Sequence, residues 1–246
     1  MNPAFKNSVS SESKTINQLG AEKDSIVVQA IRVSSGKALV NYSYMLINRR
    51  TSEAVVIDPA WEIIKIRAVL KARNCKLTAI LLTHHHRDHT DLASELASET
   101  GALVYMSPME IDTYSFTAKN LSEIRDSHVV SAGMRINVIE TPGHTAGSVC
   151  FSVGGYLFTG DTLFIEGCGI CKGKGASADQ LFESLRLIQS TFPGSTQIFP
   201  GHRFREAPGK SLDFVKANNI YMKVNSRSDF KTLHMRKRDI SSIEYL

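Results

Sequence analysis

From Ser25 onward, short apolar runs alternate with polar breaks, and most runs end in a turn signal. Ser25–Val33 and Leu39–Ile47 have the β-branched and aromatic content of strands, and the second alternates as a half-buried strand must. Glu53–Ile57 predicts a third strand, ended by Asp58-Pro59. Ile63, Ile64, Ile66, Val69 and Leu70 fall at helical spacing and predict a helix over Trp61–Lys71. Leu77–Leu82 is almost unbroken in its apolar character, as expected for a buried strand. It runs directly into Thr83-His84-His85-His86-Arg87-Asp88-His89, the last residues expected on a loop. Leu92–Thr100 predicts a helix stopped by Gly101, and Ala102–Met106 a strand. Arg135–Glu140, Ser148–Val153 and Tyr156–Thr159 read as further strands, with Gly154-Gly155 as a hairpin turn. A helix over Ala178–Gln189, a short strand over Thr196–Phe199, a helix over Lys210–Asn218 and a helical basic tail complete the pattern. Strands interleaved with helices predict a layered α/β architecture.

The 246 residues are 42% hydrophobic and 22% charged, enough to bury a sizeable core and too apolar for wholesale disorder. No run approaches the ~18 apolar residues of a membrane span. Residues 1–24 are polar and lack the apolar stretch of a secretory leader, so they are read as a flexible tail preceding one domain over 25–246. A cytoplasmic location is expected, and four cysteines without scaffold spacing suit a reducing compartment. The net charge is +5, and ten Lys/Arg against five Asp/Glu between Arg203 and Leu246 equal that excess. Such a basic C-terminal face suits an acidic protein, a nucleic acid or an anionic membrane, or is simply a solvated helix.

The chemistry concentrates at strand ends. His84-x-His86-x-Asp88-His89 follows the buried Leu77–Leu82 run, and alternation places His84 and His86 on one side with His85 on the other. His144 sits in Thr-Pro-Gly-His-Thr, Asp161 in Phe-Thr-Gly-Asp-Thr, and His202 in Phe-Pro-Gly-His. Each alone has an ordinary reading, since a loop Asp is by default a turn former. Together, five of the eight histidines and two carboxylates lie where predicted strands end. Seven nitrogen and oxygen donors exceed the three or four that one zinc takes and suit two ions; zinc, iron or manganese fits a set without thiolate.

These segments resemble the metallo-β-lactamase superfamily, and within it the glyoxalase II-type thioester hydrolases, over roughly Ser25–Phe204. The resemblance implies a four-layer αβ/βα sandwich with two zinc ions at one edge. It implies that His84, His86 and His144 hold one ion, Asp88, His89 and His202 the other, and that Asp161 bridges. The glutathione-binding pattern of glyoxalase II is not matched after Pro-Gly-His, where this chain reads Arg203-Phe204-Arg205-Glu206-Ala207. Asn41-Tyr42-Ser43-Tyr44, Ile57-Asp58-Pro59-Ala60-Trp61, the Cys168–Cys171 loop and Asn218-Asn219-Ile220-Tyr221 resemble a narrower group. That group is the zinc-dependent acyl hydrolases encoded with bacterial polyketide synthases that lack built-in acyltransferases. It implies removal of acyl units from the phosphopantetheine arm of acyl carrier proteins, in antibiotic-type polyketide biosynthesis.

The expected mechanism is attack on a thioester carbonyl by a hydroxide held between the two metals, with Asp88 orienting it and accepting its proton. Asp58, at a strand end before proline, is expected to support a metal-bound imidazole. Cys168, Cys171 and Lys172 are expected to shape the pocket mouth, because a lone Cys-x-x-Cys lacks the second pair of a zinc finger. Glyoxalase II itself and a mononuclear-iron persulfide dioxygenase are the alternatives within the same branch, distinguished by metal count and oxygen dependence. No nucleic-acid partner is expected, and the oligomeric state is left open.

Overall fold

A computed structural model describes residues 25–35 and 39–235. The tail read over 1–24 and the part of the basic segment beyond 235 lie outside the described residues. Two six-stranded sheets stack face to face with helices on both outer surfaces, giving the four-layer αβ/βα sandwich.

The first sheet runs β1 (Ile26–Ser35), β2 (Leu39–Asn48), β3 (Glu53–Ile57), β4 (Lys76–Leu81), β5 (Leu103–Met106) and β6 (Leu121–Glu123), in that spatial order. β1, β2 and β3 pair antiparallel, whereas β3, β4, β5 and β6 are parallel. The second runs β12 (Lys210–Ser211), β11 (Gln197–Pro200), β10 (Tyr156–Gly160), β9 (Val149–Val153), β8 (Met134–Glu140) and β7 (His128–Ser131). Here only β10 and β11 are parallel. The β9–β10 hairpin turns at Gly154 and Gly155, both at positive φ (56° and 81°), the conformation for which glycine carries no steric penalty.

Alternation sorts the side chains between layers. Tyr44 and Leu46 on β2, Val55 and Ile57 on β3, and Ala79 and Leu81 on β4 face the inter-sheet core with Phe151 and Phe158. Met45, Ile47, Ala54, Val56, Ile80 and Leu82 face the opposite side, under α1 (Ile63–Arg73) and α3 (Ala93–Thr100). Leu77 shares that outer face with Ile80 because Thr78 is an extra residue in the β3–β4 register, a bulge that inverts parity. The second sheet is covered by α5 (Ala178–Thr191), α6 (Leu212–Asn218), α7 (Ile220–Lys223) and α8 (Arg227–Met235), with Leu181, Leu185, Leu212, Val215 and Phe230 fully buried.

Three local expectations differ. Lys210 and Ser211 form a strand rather than helix, and the helix starts at Leu212 because the Ser211 hydroxyl accepts from Phe214 N at 3.2 Å. Asp88 and His89 sit on a single helical turn, α2 (Arg87–Thr90), not a loop. The stretch between 107 and 133, assigned no element from the sequence, holds β6, β7 and α4 (Pro108–Tyr114). α4 opens with Ser107 as cap and Pro108 in its first turn, the arrangement that starts a helix without apolar periodicity.

Candidate metal centre

Strand direction explains why distant residues meet. β10 and β11 are parallel, so Asp161 and His202 leave the sheet at the same edge. β8 lies two antiparallel steps from β10, so its C-terminal end, leading to His144, is at that edge too. In the other sheet β3 and β4 are parallel, which puts Asp58 beside Thr83 and His84. β2 enters at this edge, bringing in Asn41, which bridges to His202.

All seven sequence-selected donors gather here. Three groups of side chains have donor atoms within 4.8 Å of one another: His84, His86 and His144; His84, His89 and Asp161; Asp88, His89 and His202. His86 Nδ1 is 3.0 Å from both His84 Nε2 and His144 Nε2. Asp161 Oδ2 is 3.5 Å from His144 Nε2 and 3.3 Å from His202 Nε2, while Oδ1 is 3.3 Å from His89 Nε2. Asp88 Oδ2 lies 3.5 Å from His202 Nε2 and 3.6 Å from His89 Nε2. Asp161 therefore faces both sets.

The outward nitrogens are anchored. The Thr83 hydroxyl donates to Asp58 Oδ2 at 2.7 Å, so its oxygen accepts from His84 Nδ1 at 3.0 Å. His144 Nδ1 donates to Ile170 O at 2.6 Å, and His89 Nδ1 donates to Asp58 Oδ2 at 3.0 Å. A ring whose Nδ1 carries the proton offers the lone pair of Nε2. His84 and His144 thus crowd two lone pairs against His86 Nδ1, an arrangement that suits a shared cation. His89 Nε2 and Asp161 Oδ1 are buried and lack hydrogen-bond partners. Buried polar atoms are normally paired, and both are ordinary ligand atoms for a divalent metal. The donor set fits such an ion.

The electrostatics agree. Burial, with His89 and His144 adding repulsion, lowers the His84 pKa well below its usual value. Burial and the neighbouring His144 bring His86 to about 4. Burial opposes charge on His89 and His202 too, but the Asp161 carboxylate outweighs it and raises both. Those two rings in turn hold Asp161 well below the usual carboxylate range despite its burial.

Asp58 is 3% exposed and accepts both the amide (2.8 Å) and hydroxyl of Thr83. Cys168 is buried and Cys171 half-buried, both among the α5–α8 core residues, and Lys172 is exposed. Burial pushes the Cys171 thiol up to about 12, so it is not a thiolate near neutrality. Their loop touches the centre through the Ile170 carbonyl on His144.

Two polar neighbours were given no role at the site by the sequence argument. Asn41 Nδ2 donates to Asp88 O (2.8 Å) and Oδ2 (3.0 Å). Glu110 on α4 is fully buried and takes the His85 amide and ring. Ser107-Pro108-Met109-Glu110 carries the S-x-x-E signature of a helix start, which could have flagged it.

The family model of the metallo-beta-lactamase superfamily matches residues 38–202. The chain belongs to that superfamily. A probable polyketide biosynthesis zinc-dependent hydrolase, BaeB of Bacillus velezensis, is 42% identical over 80% of this chain and 88% of its own. PksB of Bacillus subtilis, with the same description, is 39% identical over the same shares. The crystal structure of ETHE1 from Myxococcus xanthus superposes with a TM-score of 0.74 at 27% identity, covering 85% of this superfamily member and 90% of that chain. No described helix is long and apolar enough to cross a membrane.

Proposed function

We propose that this protein is a cytoplasmic, metal-dependent thioester hydrolase that removes acyl units from acyl carrier proteins in a polyketide pathway. The observation that carries the reading is the convergence of seven histidine and aspartate donors on both sides of Asp161 at one sheet edge. The likeness to polyketide biosynthesis zinc-dependent hydrolases supports the reaction class and setting.

In this reading His84, His86 and His144 hold one divalent ion, and Asp88, His89 and His202 a second, with Asp161 between them. When bound, zinc supplies a water of lowered pKa and an electrophilic contact for a carbonyl oxygen. Asp88 is less buried than Asp161, and Asn41 fixes its Oδ2. The Asp88 carboxylate would take the proton given up as the water oxygen bonds the thioester carbon. The C–S bond then breaks to release a carboxylic acid and a thiolate, which picks up the proton held by Asp88 and leaves as the thiol. A thiol with a pKa near 8.5 leaves with little acid assistance, so no further donor is required. Asp58 holds His89, and the Ile170 carbonyl holds His144, so that both rings present Nε2 inward. The exposed Lys172 lies on the loop of Ile170, and the exposed Arg203 and Arg205 follow His202; they suit an acidic carrier surface.

The test is incubation of the zinc-loaded protein with acyl carrier proteins bearing different acyl chains, followed by mass spectrometry. Loss of the acyl mass is expected, together with about two zinc ions per chain. His86→Ala and Asp88→Ala should each slow the reaction by about 10²–10⁴. Intact acyl carriers after prolonged incubation defeat the proposal, and turnover that requires oxygen moves the assignment to a dioxygenase.

A further inference from the structure

The three-histidine set is assembled from two separate stretches, His84 and His86 after β4 and His144 after β8. Its geometry depends on what fixes these stretches relative to each other. One bond is between backbones, Val149 N to Thr83 O at 2.9 Å. The others come from α4. Glu110 Oε2 accepts from the His85 amide at 2.8 Å and the His85 ring at 2.7 Å, and Oε1 accepts from the Gly147 amide at 2.8 Å. Ser107 Oγ donates to Gly147 O at 2.7 Å. Tyr114 stacks on the His85 ring with centroids 3.6 Å apart, and its hydroxyl accepts from the Ala146 amide at 3.0 Å. The helix grips both stretches at once.

A carboxylate is a costly choice for mere filling. Glutamate is almost never fully buried unless paired, and an apolar side chain of similar size would pack without that penalty. Glu110 has no exposed surface, and burial opposes its ionisation. The bonds from His85, Thr145 and two backbone amides outweigh this and hold its pKa below the usual value. A charged acceptor pinned by amides from two loops makes a stiff joint, since hydrogen bonds to charged groups are the strong ones. It also gives His85 a role: its ring faces Glu110 while His84 and His86 face the centre.

We propose that Glu110 is the positioning residue of the three-histidine set: by clamping the amides of His85 and Gly147 it fixes the distance between His86 and His144, and so the affinity of that set for a divalent cation. This rests on the reading of His84, His86 and His144 as ligands. Glu110 belongs to none of the three donor groups at the centre.

Glu110→Gln preserves volume but turns an amide donor toward one of the clamped N–H groups. Zinc affinity is measured by competition with a graded chelator, and ligand geometry by the visible absorption of the cobalt-loaded protein. The expected result is a 10–100-fold weaker zinc site, the range seen when supports of metal ligands are removed, with an altered cobalt spectrum and the far-ultraviolet circular dichroism of a folded chain. Zinc affinity and cobalt spectrum equal to wild type overturn the clamp. If Glu110→Gln does not fold, Glu110→Asp takes its place: it keeps the charge but is one methylene shorter, so its carboxylate cannot reach the His85 and Gly147 amides together. A smaller loss of zinc affinity is then expected, and none overturns the proposal. A wild-type protein that takes up no divalent metal overturns the ligand reading itself, whereas a metal-binding wild type with an indifferent variant overturns the clamp alone.

Discussion

Asp58 Oδ2 accepts from His89 Nδ1 at 3.0 Å, while Asp58 Oδ1 accepts from the Thr83 amide at 2.8 Å. One buried carboxylate thus fixes the start of the histidine run and the ring at its end. The backbone at Asp58 is left-handed (φ 49°), a conformation that aspartate tolerates better than most side chains. It turns the chain from β3 toward Pro59 while aiming the carboxylate at β4.

Asp58→Ala removes this support. The buried Thr83 amide then lacks its acceptor, at a cost of about 1–3 kcal/mol of stability. His89 loses its orientation, and zinc affinity should fall about 10–100-fold. Asp58→Asn keeps one acceptor oxygen and should recover part of both. Urea unfolding and chelator competition measure the two effects. Wild-type zinc affinity in Asp58→Ala would mean that packing alone orients His89.

Much of this centre was readable because its donors follow apolar strand runs, where chain direction and glycine turns mark a sheet edge. The Leu77–Leu82 run and the Tyr156–Thr159 strand placed His84 and Asp161 without any knowledge of pairing. Asn41 and Glu110 were not readable in the same way. Asn41 becomes a support for Asp88 only because β2 runs antiparallel to β3 and enters at the site edge, a fact of topology. α4 was missed because its seven residues show no apolar period, and its start is set by Ser107 and Pro108 instead. Asp88 and His89 were expected on a loop because a four-residue helix is too short to leave a pattern.

The metal-free protein should lose stability in acid with a defined sign. His86 titrates at about 4 when folded and near 6.5 when unfolded, so between these values the unfolded chain binds more protons. Its contribution is complete above pH 6.5 and is lost as pH falls toward 4. The lowered His84 pKa acts in the same direction. His89 and His202 act oppositely: their raised values add stability below pH 6.5 that is lost as pH rises through the folded values. Urea midpoints of chelator-treated protein should decline from pH 6.5 to pH 4. In His86→Ala this limb should be shallower. Identical limbs in the two proteins would show that His86 is not held neutral by its site.

Charge on the rim should matter for a protein substrate and not for a small one. Lys172 follows the loop whose Ile170 carbonyl holds His144, and Arg205 lies three residues after His202. Replacing both with glutamate should raise KM for an acyl carrier protein about tenfold or more, because like-charge juxtaposition suppresses encounter. The difference should shrink with added salt, since exposed charges are screened within ~10 Å at 0.1 M. Turnover of an acyl N-acetylcysteamine thioester should be unaffected. Equal effects on both substrates would place the change in the centre rather than in docking.

At Gly201 the backbone passes close to two of the donors. A Cβ there would lie 2.5 Å from His89 Cε1 and 2.6 Å from Asp161 Oδ1, nearer than non-bonded atoms approach. Neither neighbour can yield. His89 is fixed by Asp58, and Asp161 is held between His89 and His202. The Gly201 amide also donates to Gly160 O at 2.8 Å, so the backbone cannot simply move away. One added methyl must therefore separate the two donor sets. Gly201→Ala is expected to bind less than half the zinc of wild type and to lose at least 99% of its hydrolytic activity, while retaining most of its secondary structure. Gly155→Ala serves as the contrast: its φ of 81° makes the substitution cost about 1–2 kcal/mol, but nothing lies within 4 Å of the new methyl. That variant should unfold at lower urea with zinc content and activity intact. Zinc per chain and specific activity, measured side by side on the two variants, separate pressure on the donors from a general loss of stability. A Gly201→Ala protein with full zinc and full activity would show that the seven donors do not act as the packed unit described.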